Sequence, residues 1–331
     1  MRGLVTVFGG SGFIGSQTVR ALAKQGWRIR VAVRRPWQAY RQRLLGDVGQ
    51  IEIVQANVRF AETVERALDG AEAAVLAVGT PFEYGAQSFQ AVRAEGSRTV
   101  AEAAAGRGIA NFAFVSGIGA DARSASRAGR AVAEAETAVR QAIPTATILR
   151  PSVVFGPEDR FFNQLAAMAV ASPVMPVFSQ ATRLQPVFVA DVARAVAAAL
   201  HDPATDGRTY ELGGPGVYTM RELVEITLAE IARPRPILPL PDGLAALIGL
   251  GGDVLAFLHG PLPMLLKPPI TTDQIAMLKA DNVVSPGAAG LADLGVTPQA
   301  LEPIIPTYLY TYRPGGQYAD LAPPEPIRGT P

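Results

Sequence analysis

The sequence lacks several residue types on which common catalytic chemistries depend. It contains no cysteine among its 331 residues, which excludes disulfides and thiol catalysis. Its two histidines, His201 and His259, are not placed together by anything in the sequence, so we predict no metal-dependent catalysis. No tyrosine occurs between Tyr84 and Tyr210, and no lysine occurs between Lys24 and Lys267. Phenol and amine side chains are therefore missing together from much of the middle of the chain.

Net charge and long hydrophobic runs are also scarce. The formal charge is +1, with basic residues spread along the chain, so we predict no nucleic-acid partner. The best candidate for a membrane span, 243–266, is interrupted by Asp253 and by glycine and proline. It falls short of the roughly 18 uninterrupted apolar residues that a span needs. Because 49% of the residues are hydrophobic, we predict a globular protein with a substantial core.

The first half of the chain alternates between short apolar runs and amphipathic stretches. Near-continuous apolar runs are typical of parallel strands that are covered on both faces. These runs are 4–8, 29–33, 51–54, 73–78, 112–115 and 146–149. Predicted helices between them include 12–24, 88–105 and 131–141. The pattern predicts an α/β fold with a Rossmann-like, doubly wound parallel sheet over 1–150, whose ligand site lies at the carboxyl ends of the strands.

The second half predicts a smaller, partly interleaved C-terminal lobe over 151–312. Its predicted elements are helices at 159–171, 191–200 and 220–231 and strands at 186–189 and 209–212. Thr219 with Glu222, and Thr271 with Gln274, have the spacing of capping boxes at two helix starts. Residues 313–331 are rich in proline and glycine, which predicts an extended tail lying over a surface.

A dinucleotide-binding fingerprint follows the first predicted strand directly and opens a helix. Gly9 allows the tight turn, Gly12 lets the backbone approach a pyrophosphate, and Gly15 permits close packing of helix on strand. The amino end of the helix offers unpaired N–H groups and a positive dipole end to phosphates. We predict that the whole segment binds the cofactor, through Gly9, Ser11, Gly12, Phe13, Ile14 and Gly15.

Further candidates for the nucleotide site follow the next three strands. Arg34 and Arg35 stand where NAD-binding proteins place an acidic residue for the ribose 2′-hydroxyl. A guanidinium matches a 2′-phosphate, so we predict NADP(H) rather than NAD(H). Asn57 is placed to reach the adenine edge, and Val78, Gly79 and Thr80 are placed to line the groove for the rest of the cofactor.

Together these residues resemble the extended and atypical short-chain dehydrogenases. The resemblance is strongest to the subunit-nine branch found in the alpha subcomplex of respiratory complex I (NADH:ubiquinone oxidoreductase) and in its bacterial relatives. It extends over nearly the whole chain, through the stretches 7–15, 31–36, 54–57, 148–163, 186–193 and 281–284. The most distinctive of these is 148–163, which begins Ile148-Leu149-Arg150-Pro151 and ends Arg160-Phe161-Phe162-Asn163.

The resemblance implies a tightly bound NADP(H), in particular NADPH, and a structural role without turnover. It implies partners among the hydrophilic-arm and membrane-junction subunits of complex I. The implied location is peripheral, on the cytoplasmic side of a bacterial inner membrane. The stretch 243–266 is then either buried in the second lobe or a docking face for a partner or the membrane interface.

The catalytic pair of the family is missing. Active members use Tyr-x-x-x-Lys, and aligning the family's helix glutamate with Glu136 puts Ala128 and Val132 at those two positions. Ser116 matches the family's catalytic serine, but without the pair we interpret it, together with Pro151, as a cofactor contact and predict no catalytic residue. Two alternatives stay open: an active NADP-dependent reductase or epimerase with a different proton donor, and a free NADPH sensor.

Overall fold

The computed structural model describes residues 2–259 and 270–318. Its strands are β1 Leu4–Phe8, β2 Arg28–Val33, β3 Ile51–Gln55, β4 Ala73–Leu76, β5 Asn111–Val115, β6 Thr147–Pro151, β7 Val154–Phe155, β8 Met175–Val177, β9 Arg183–Leu184, β10 Val187–Phe188, β11 Thr209–Leu212, β12 Tyr218–Thr219 and β13 Ile237–Pro239. Its α-helices are α1 Phe13–Lys24, α2 Ala61–Leu68, α3 Glu95–Gly106, α4 Arg127–Ala142, α5 Phe161–Ala171, α6 Val189–Ala199, α7 Met220–Glu230, α8 Asp242–His259, α9 Thr272–Leu278 and α10 Pro306–Leu309.

Seven strands form one parallel sheet in the order β11-β6-β5-β4-β1-β2-β3. Strands such as β1 and β4 are almost entirely apolar, with Thr6 as the one polar residue of the two, and are buried on both faces, as the sequence predicted. Helices α1 and α6 cover one face of the sheet, and α2, α3 and α4 cover the other. The predicted Rossmann-like α/β fold is confirmed.

Two elements that follow residue 150 in the chain complete the sheet and its covering helices. Strand β11 pairs with β6 at the edge of the sheet, and helix α6 packs against α1. The sequence predicted both elements at nearly these bounds, but it grouped them with the second lobe. The sheet is therefore built from two separated parts of the chain, which is the interleaving expected, while the division into 1–150 and 151–312 stays a prediction.

The second lobe has its own core, formed mainly by α5, α7, α10 and three short strand pairs. The carboxylate of Asp159 organises it, accepting hydrogen bonds from the N–H groups of Phe162 and Asn163 at 2.8 and 3.2 Å. It also accepts from Tyr308 Oη at 2.6 Å, which ties α10 to the start of α5. Burial raises the pKa of Asp159, although these hydrogen bonds oppose the shift.

Both predicted capping boxes are present. Thr219 and Glu222 cap α7 reciprocally, and Thr271 and Gln274 do the same for α9. The beginning of the predicted tail is anchored, because Arg313 forms an ion pair with Glu230 and its Nε donates to the Glu230 carbonyl at 2.8 Å. The rest of the predicted tail, 319–331, lies outside the described residues, as do 260–266 of the apolar stretch.

Candidate functional site

An open cavity of about 190 Å³ lies at the carboxyl ends of the central strands. This is the edge at which doubly wound sheets bind their ligands. Loops that follow β1, β2, β3 and β4 all contribute to it. Eight of the predicted site residues line the cavity, namely Gly9, Ser11, Gly12, Arg34, Asn57, Val78, Gly79 and Thr80.

The turn after β1 depends on its glycines. Gly9 has φ +80°, and a Cβ there would lie 2.5 Å from the Ala77 carbonyl oxygen. A Cβ on Gly15 would lie 2.1 Å from the Gly9 carbonyl oxygen, so α1 can pack this closely on the turn only without a side chain. Gly12 is the N-cap of α1 and provides no side-chain hydrogen bond. The first N–H groups of α1 are left for a ligand, which suits an anion.

Six predicted site residues are absent from the cavity lining: Phe13, Ile14, Gly15, Arg35, Ser116 and Pro151. The Phe13 ring lies about 3.4 Å from where a Cβ on Gly156 would stand, so it faces the second lobe. Ile14 packs into the core beneath the sheet. Arg35 is exposed at the start of a short 3-10 helix. The carbonyl of Pro151 accepts from the N–H of Ile118 at 3.0 Å. Their assignment to the cofactor stays a prediction.

Arg34 stands at the mouth of the cavity, directly after β2. It is exposed, and its Nη1 donates to Gln87 Oε1 at 2.5 Å. Gln87 lines the same cavity, so this hydrogen bond holds the guanidinium over the opening. A cation at the end of the second strand is the arrangement that suits a 2′-phosphate.

Behind the cavity wall lies an arginine that the sequence did not single out. Arg93 Nη2 donates to the Thr80 carbonyl at 2.8 Å and so fixes the loop that follows β4. It belongs to a single π-helical turn, Gln90–Ala94, at the start of the predicted helix 88–105. Burial lowers the pKa of Arg93, and the charge of Asp273 partly opposes this shift. No sequence signal distinguishes this π-helical turn, because its residues also occur in ordinary α-helices.

The hydroxyl of Ser116 is engaged by an ion-pair network. It donates to Glu136 Oε1 at 2.5 Å. Arg150 donates to both oxygens of the same carboxylate, at 2.8 and 2.6 Å, and lies 3.6 Å from Glu211. These contacts raise the pKa of Arg150, chiefly through its hydrogen bond to Glu136. The network joins the carboxyl ends of β5, β6 and β11 to α4, and it keeps Ser116 hydrogen-bonded within the protein.

The place where the family's tyrosine would stand is buried and covered. Ala128 and Val132 are both buried. The carboxylate of Asp273, from α9, accepts from Ser126 Oγ at 2.8 Å and from the N–H groups of Arg127 and Ala128 at 2.5 and 3.3 Å. An acceptor from the second lobe therefore satisfies the first turn of α4. This contact joins residues almost 150 positions apart, and no local pattern could have predicted it.

Helix α8 presents an apolar face to solvent. Its exposed side chains include Leu247, Leu250, Val254 and Phe257, of which Phe257 is 76% exposed. The opposite face packs tightly on α9, since a Cβ on Gly249 would lie 2.7 Å from Ile275 Cδ1. Within 243–259, the part of the predicted stretch that the structure describes, one side of the helix is buried and the other is exposed, and docking of the exposed side stays a prediction. None of the helices in the described ranges meets the length and hydropathy needed to span a membrane.

Comparison with known proteins gives the following similarities. The family model described as NmrA-like matches residues 1–235. Alpha subcomplex subunit 9 of the mitochondrial NADH dehydrogenase [ubiquinone] 1 from Arabidopsis thaliana is 34% identical over 319 residues, covering 95% of this chain and 79% of that protein. The ceramide reductase of Caulobacter vibrioides is 36% identical over 203 residues, covering 61% of this chain and 62% of that protein.

A solved structure supports the fold. The NADPH-dependent quinone oxidoreductase QOR2 from Escherichia coli, complexed with NADPH, superposes with a TM-score of 0.69 at 20% identity. The superposition covers 89% of this chain and 96% of that one. At this level of identity, the similarity concerns the fold alone.

Proposed function

The chain belongs to the NmrA-like family and is a relative of the complex I alpha subcomplex subunit 9 proteins, and from that premise we propose that it is a non-catalytic, NADP(H)-binding accessory subunit of a respiratory NADH:ubiquinone oxidoreductase. It stabilises or assembles the complex near the junction with the membrane. Its proposed location is peripheral, on the cytoplasmic side of a bacterial inner membrane.

One contrast within the molecule carries the proposal. The phosphate turn is intact and open, with Gly12 starting α1 without a side-chain cap. The positions of the family's acid/base pair have no side chain that can transfer a proton, because Ala128 and Val132 occupy them. Asp273 also covers the start of α4. General acid/base catalysis contributes about 10² to 10⁴ in rate, so losing it favours binding without turnover.

NADP(H) is the proposed cofactor, held between the turn after β1 and the loop after β4. The first N–H groups of α1 bind the pyrophosphate, and Arg34 binds the 2′-phosphate from the end of β2. Asn57 reaches the adenine edge, and the segment 78–80 lines the groove for the rest of the cofactor. A nucleotide that binds the folded state and not the unfolded state stabilises it by RT ln(1 + [L]/Kd), where [L] is the free nucleotide concentration. A subunit of this kind serves as an NADPH-stabilised part of the assembly.

Partner capture from native membranes tests the assembly role. The tagged chain is isolated in a mild detergent, and the co-purifying proteins are identified by mass spectrometry. We expect subunits of NADH:quinone oxidoreductase, together with NADPH released on denaturing the isolated protein. Recovery of the chain alone from the soluble fraction, with rapidly exchanging nucleotide, would contradict the proposal.

A second candidate function is an NADPH-dependent reductase of a lipid carbonyl. It is favoured by the 36% identity to a ceramide reductase over 203 residues. Ser116 is the side chain to test, because it is the family's serine and is held by Glu136. Turnover of NADPH with a ceramide-type carbonyl lipid, abolished in Ser116→Ala and retained in a matched Ser172→Ala control, would favour the enzyme. Ser172 lies at the far end of α5, where its hydroxyl donates to Val174 O.

A further inference from the structure

A second cavity, of about 180 Å³, lies within the second lobe. Helix α5 forms one wall with side chains at successive turns of one face, Phe161, Leu165 and Met168. The remaining walls come from β8, the residue after β13, α7, α8 and both ends of α9. Their lining side chains include Val177, Met220, Val224, Leu240 and Ile248.

Water is a poor occupant of this cavity, because the lining offers few hydrogen-bond partners. Among the described residues that line the cavity, Gln164 is the one with a polar side chain, and it is exposed at the rim. A buried water needs two to four polar partners, and an apolar cavity of about 150 Å³ is known to stay dry and to bind small hydrocarbons. This cavity is slightly larger and opens to solvent at Gln164 and Ile248. A hydrocarbon that displaces solvent from it gains dispersion contacts with the apolar walls.

The cavity is continuous with the exposed apolar face of α8. Ile248 lines the cavity and is also 37% exposed, so it stands at the boundary between the two. On the same helix, Leu244 lies one turn before Ile248 and Leu247 lies directly before it, and both are exposed. A hydrocarbon chain can therefore pass from the surface into the cavity without crossing a polar rim on this side. Met168 and Met220 give the walls adaptable side chains, which suit a flexible chain rather than one rigid ligand.

We propose that this cavity binds one aliphatic chain, the acyl chain of a membrane lipid. No charged side chain is among the described residues of the lining, so these walls offer a head group no ion pair and should select for the chain. Affinity should therefore follow the length of the chain and not the charge of the head group. The inference does not depend on the proposed assembly, because it concerns binding to the isolated chain.

Fluorescence of cis-parinaric acid with the purified full-length protein tests the site in the absence of detergent. Wild type is expected to bind below the concentration at which the probe aggregates. Leu165→Trp fills the cavity from α5 and should weaken binding by about tenfold or more, a loss of ~1.4 kcal/mol or more. Leu247→Trp places the same side chain on the exposed face of α8 and should change affinity by less than about twofold.

A second variant and two competitors complete the design. Leu240→Trp fills the same cavity from a partly buried position, and a cooperative thermal unfolding transition in each variant checks that it is folded. Palmitate and its uncharged monoacylglycerol should compete equally, and farnesol should compete more weakly. Stronger competition by farnesol would assign the site to isoprenoid chains. No binding by wild type, or equal binding by wild type and both filled variants, would overturn the proposal.

Discussion

Two cavities of nearly equal volume occupy the two lobes, and their linings differ in polarity. The cavity at the sheet edge, about 190 Å³, combines apolar side chains at the strand ends with backbone turns, Ser11, Arg34, Asn57 and Thr80. The cavity in the second lobe, about 180 Å³, is bounded almost entirely by aliphatic, aromatic and thioether groups. The first is held by glycine geometry that allows little change, and the second by side chains that can adapt. Substitutions should therefore separate the two sites cleanly.

The largest effect should come from Gly15→Ala. Its Cβ would meet the Gly9 carbonyl and the Gly10 Cα at 2.1 and 2.8 Å, and both are backbone atoms. We expect a loss of about 3 kcal/mol in the free energy of unfolding and no measurable NADPH binding in calorimetry. Parinaric acid binding should persist at temperatures where the variant is folded. Gly106→Ala, where no atom lies within 4 Å, is the control and should be nearly neutral. Retained NADPH affinity in Gly15→Ala would show that the turn does not hold the nucleotide.

The selectivity for NADPH over NADH tests whether the arginines after β2 bind the 2′-phosphate. Arg34→Ala with Arg35→Ala should weaken NADPH binding by about ten- to a hundredfold, the worth of hydrogen bonds to a charged group. NADH binding should change little. Arg28→Ala removes an exposed arginine at the opposite end of β2 and should leave both affinities unchanged. Equal losses for the two nucleotides would contradict a 2′-phosphate site at Arg34.

Tyr308→Phe tests the buried carboxylate of the second lobe. Burial raises the pKa of Asp159, so its contribution to stability is complete below its unfolded pKa and is lost as pH rises through the folded pKa. The Tyr308 hydrogen bond favours the ionised form. Its removal should cost about 2 kcal/mol near pH 8 and less near pH 4, measured by urea unfolding. Tyr312→Phe loses a bond to the neutral Asn163 and should show no such dependence on pH. Equal losses at both pH values would mean that Asp159 does not titrate in this range.

Asp273→Ala tests how the two lobes are joined. The variant removes the acceptor for Ser126, Arg127 and Ala128, and loss of a helix cap costs about 1 to 2 kcal/mol. Amide hydrogen exchange should speed up at Arg127 and Ala128 while strands of the central sheet keep their protection. Asp253→Ala, which removes the contact with Thr272 between α8 and α9, should leave those amides protected. Unchanged amide hydrogen exchange at Arg127 and Ala128 in Asp273→Ala would contradict the expectation that Asp273 joins the lobes at the start of α4.

The smallest effect on stability should come from Leu247→Ser, since this side chain is 64% exposed. We expect a change within about 0.5 kcal/mol. Recovery of complex I subunits with the chain should nevertheless fall if the face of α8 docks. Leu223→Ala, in the core of the second lobe, should cost about 2 to 5 kcal/mol and serves as the contrast. Undiminished recovery with Leu247→Ser would place the docking surface elsewhere.

How much the sequence could predict depends on how far apart along the chain the interacting residues lie. The apolar run 4–8 and the capping boxes at Thr219 and Thr271 are local signals, and the structure has them at those positions. The eight cavity residues that follow strands β1 to β4 were predictable because parallel strands bring their carboxyl ends together. The grouping of β11 with β6 and the hydrogen bonds of Asp273 and Arg93 join distant segments. A single sequence contains no local pattern that reports such pairings.

The Asp273 contact also has a consequence for the timing of folding. The hydrogen bond from Ser126 Oγ to Asp273 joins residues 147 positions apart. A ribosome adds about 5 to 20 residues per second, so the start of α4 emerges roughly seven to thirty seconds before its acceptor does. During that interval the start of α4 must be solvated or bound by a chaperone. A nascent chain can therefore form most of its central sheet early, while the contact that seals the lobes is among the last to be made.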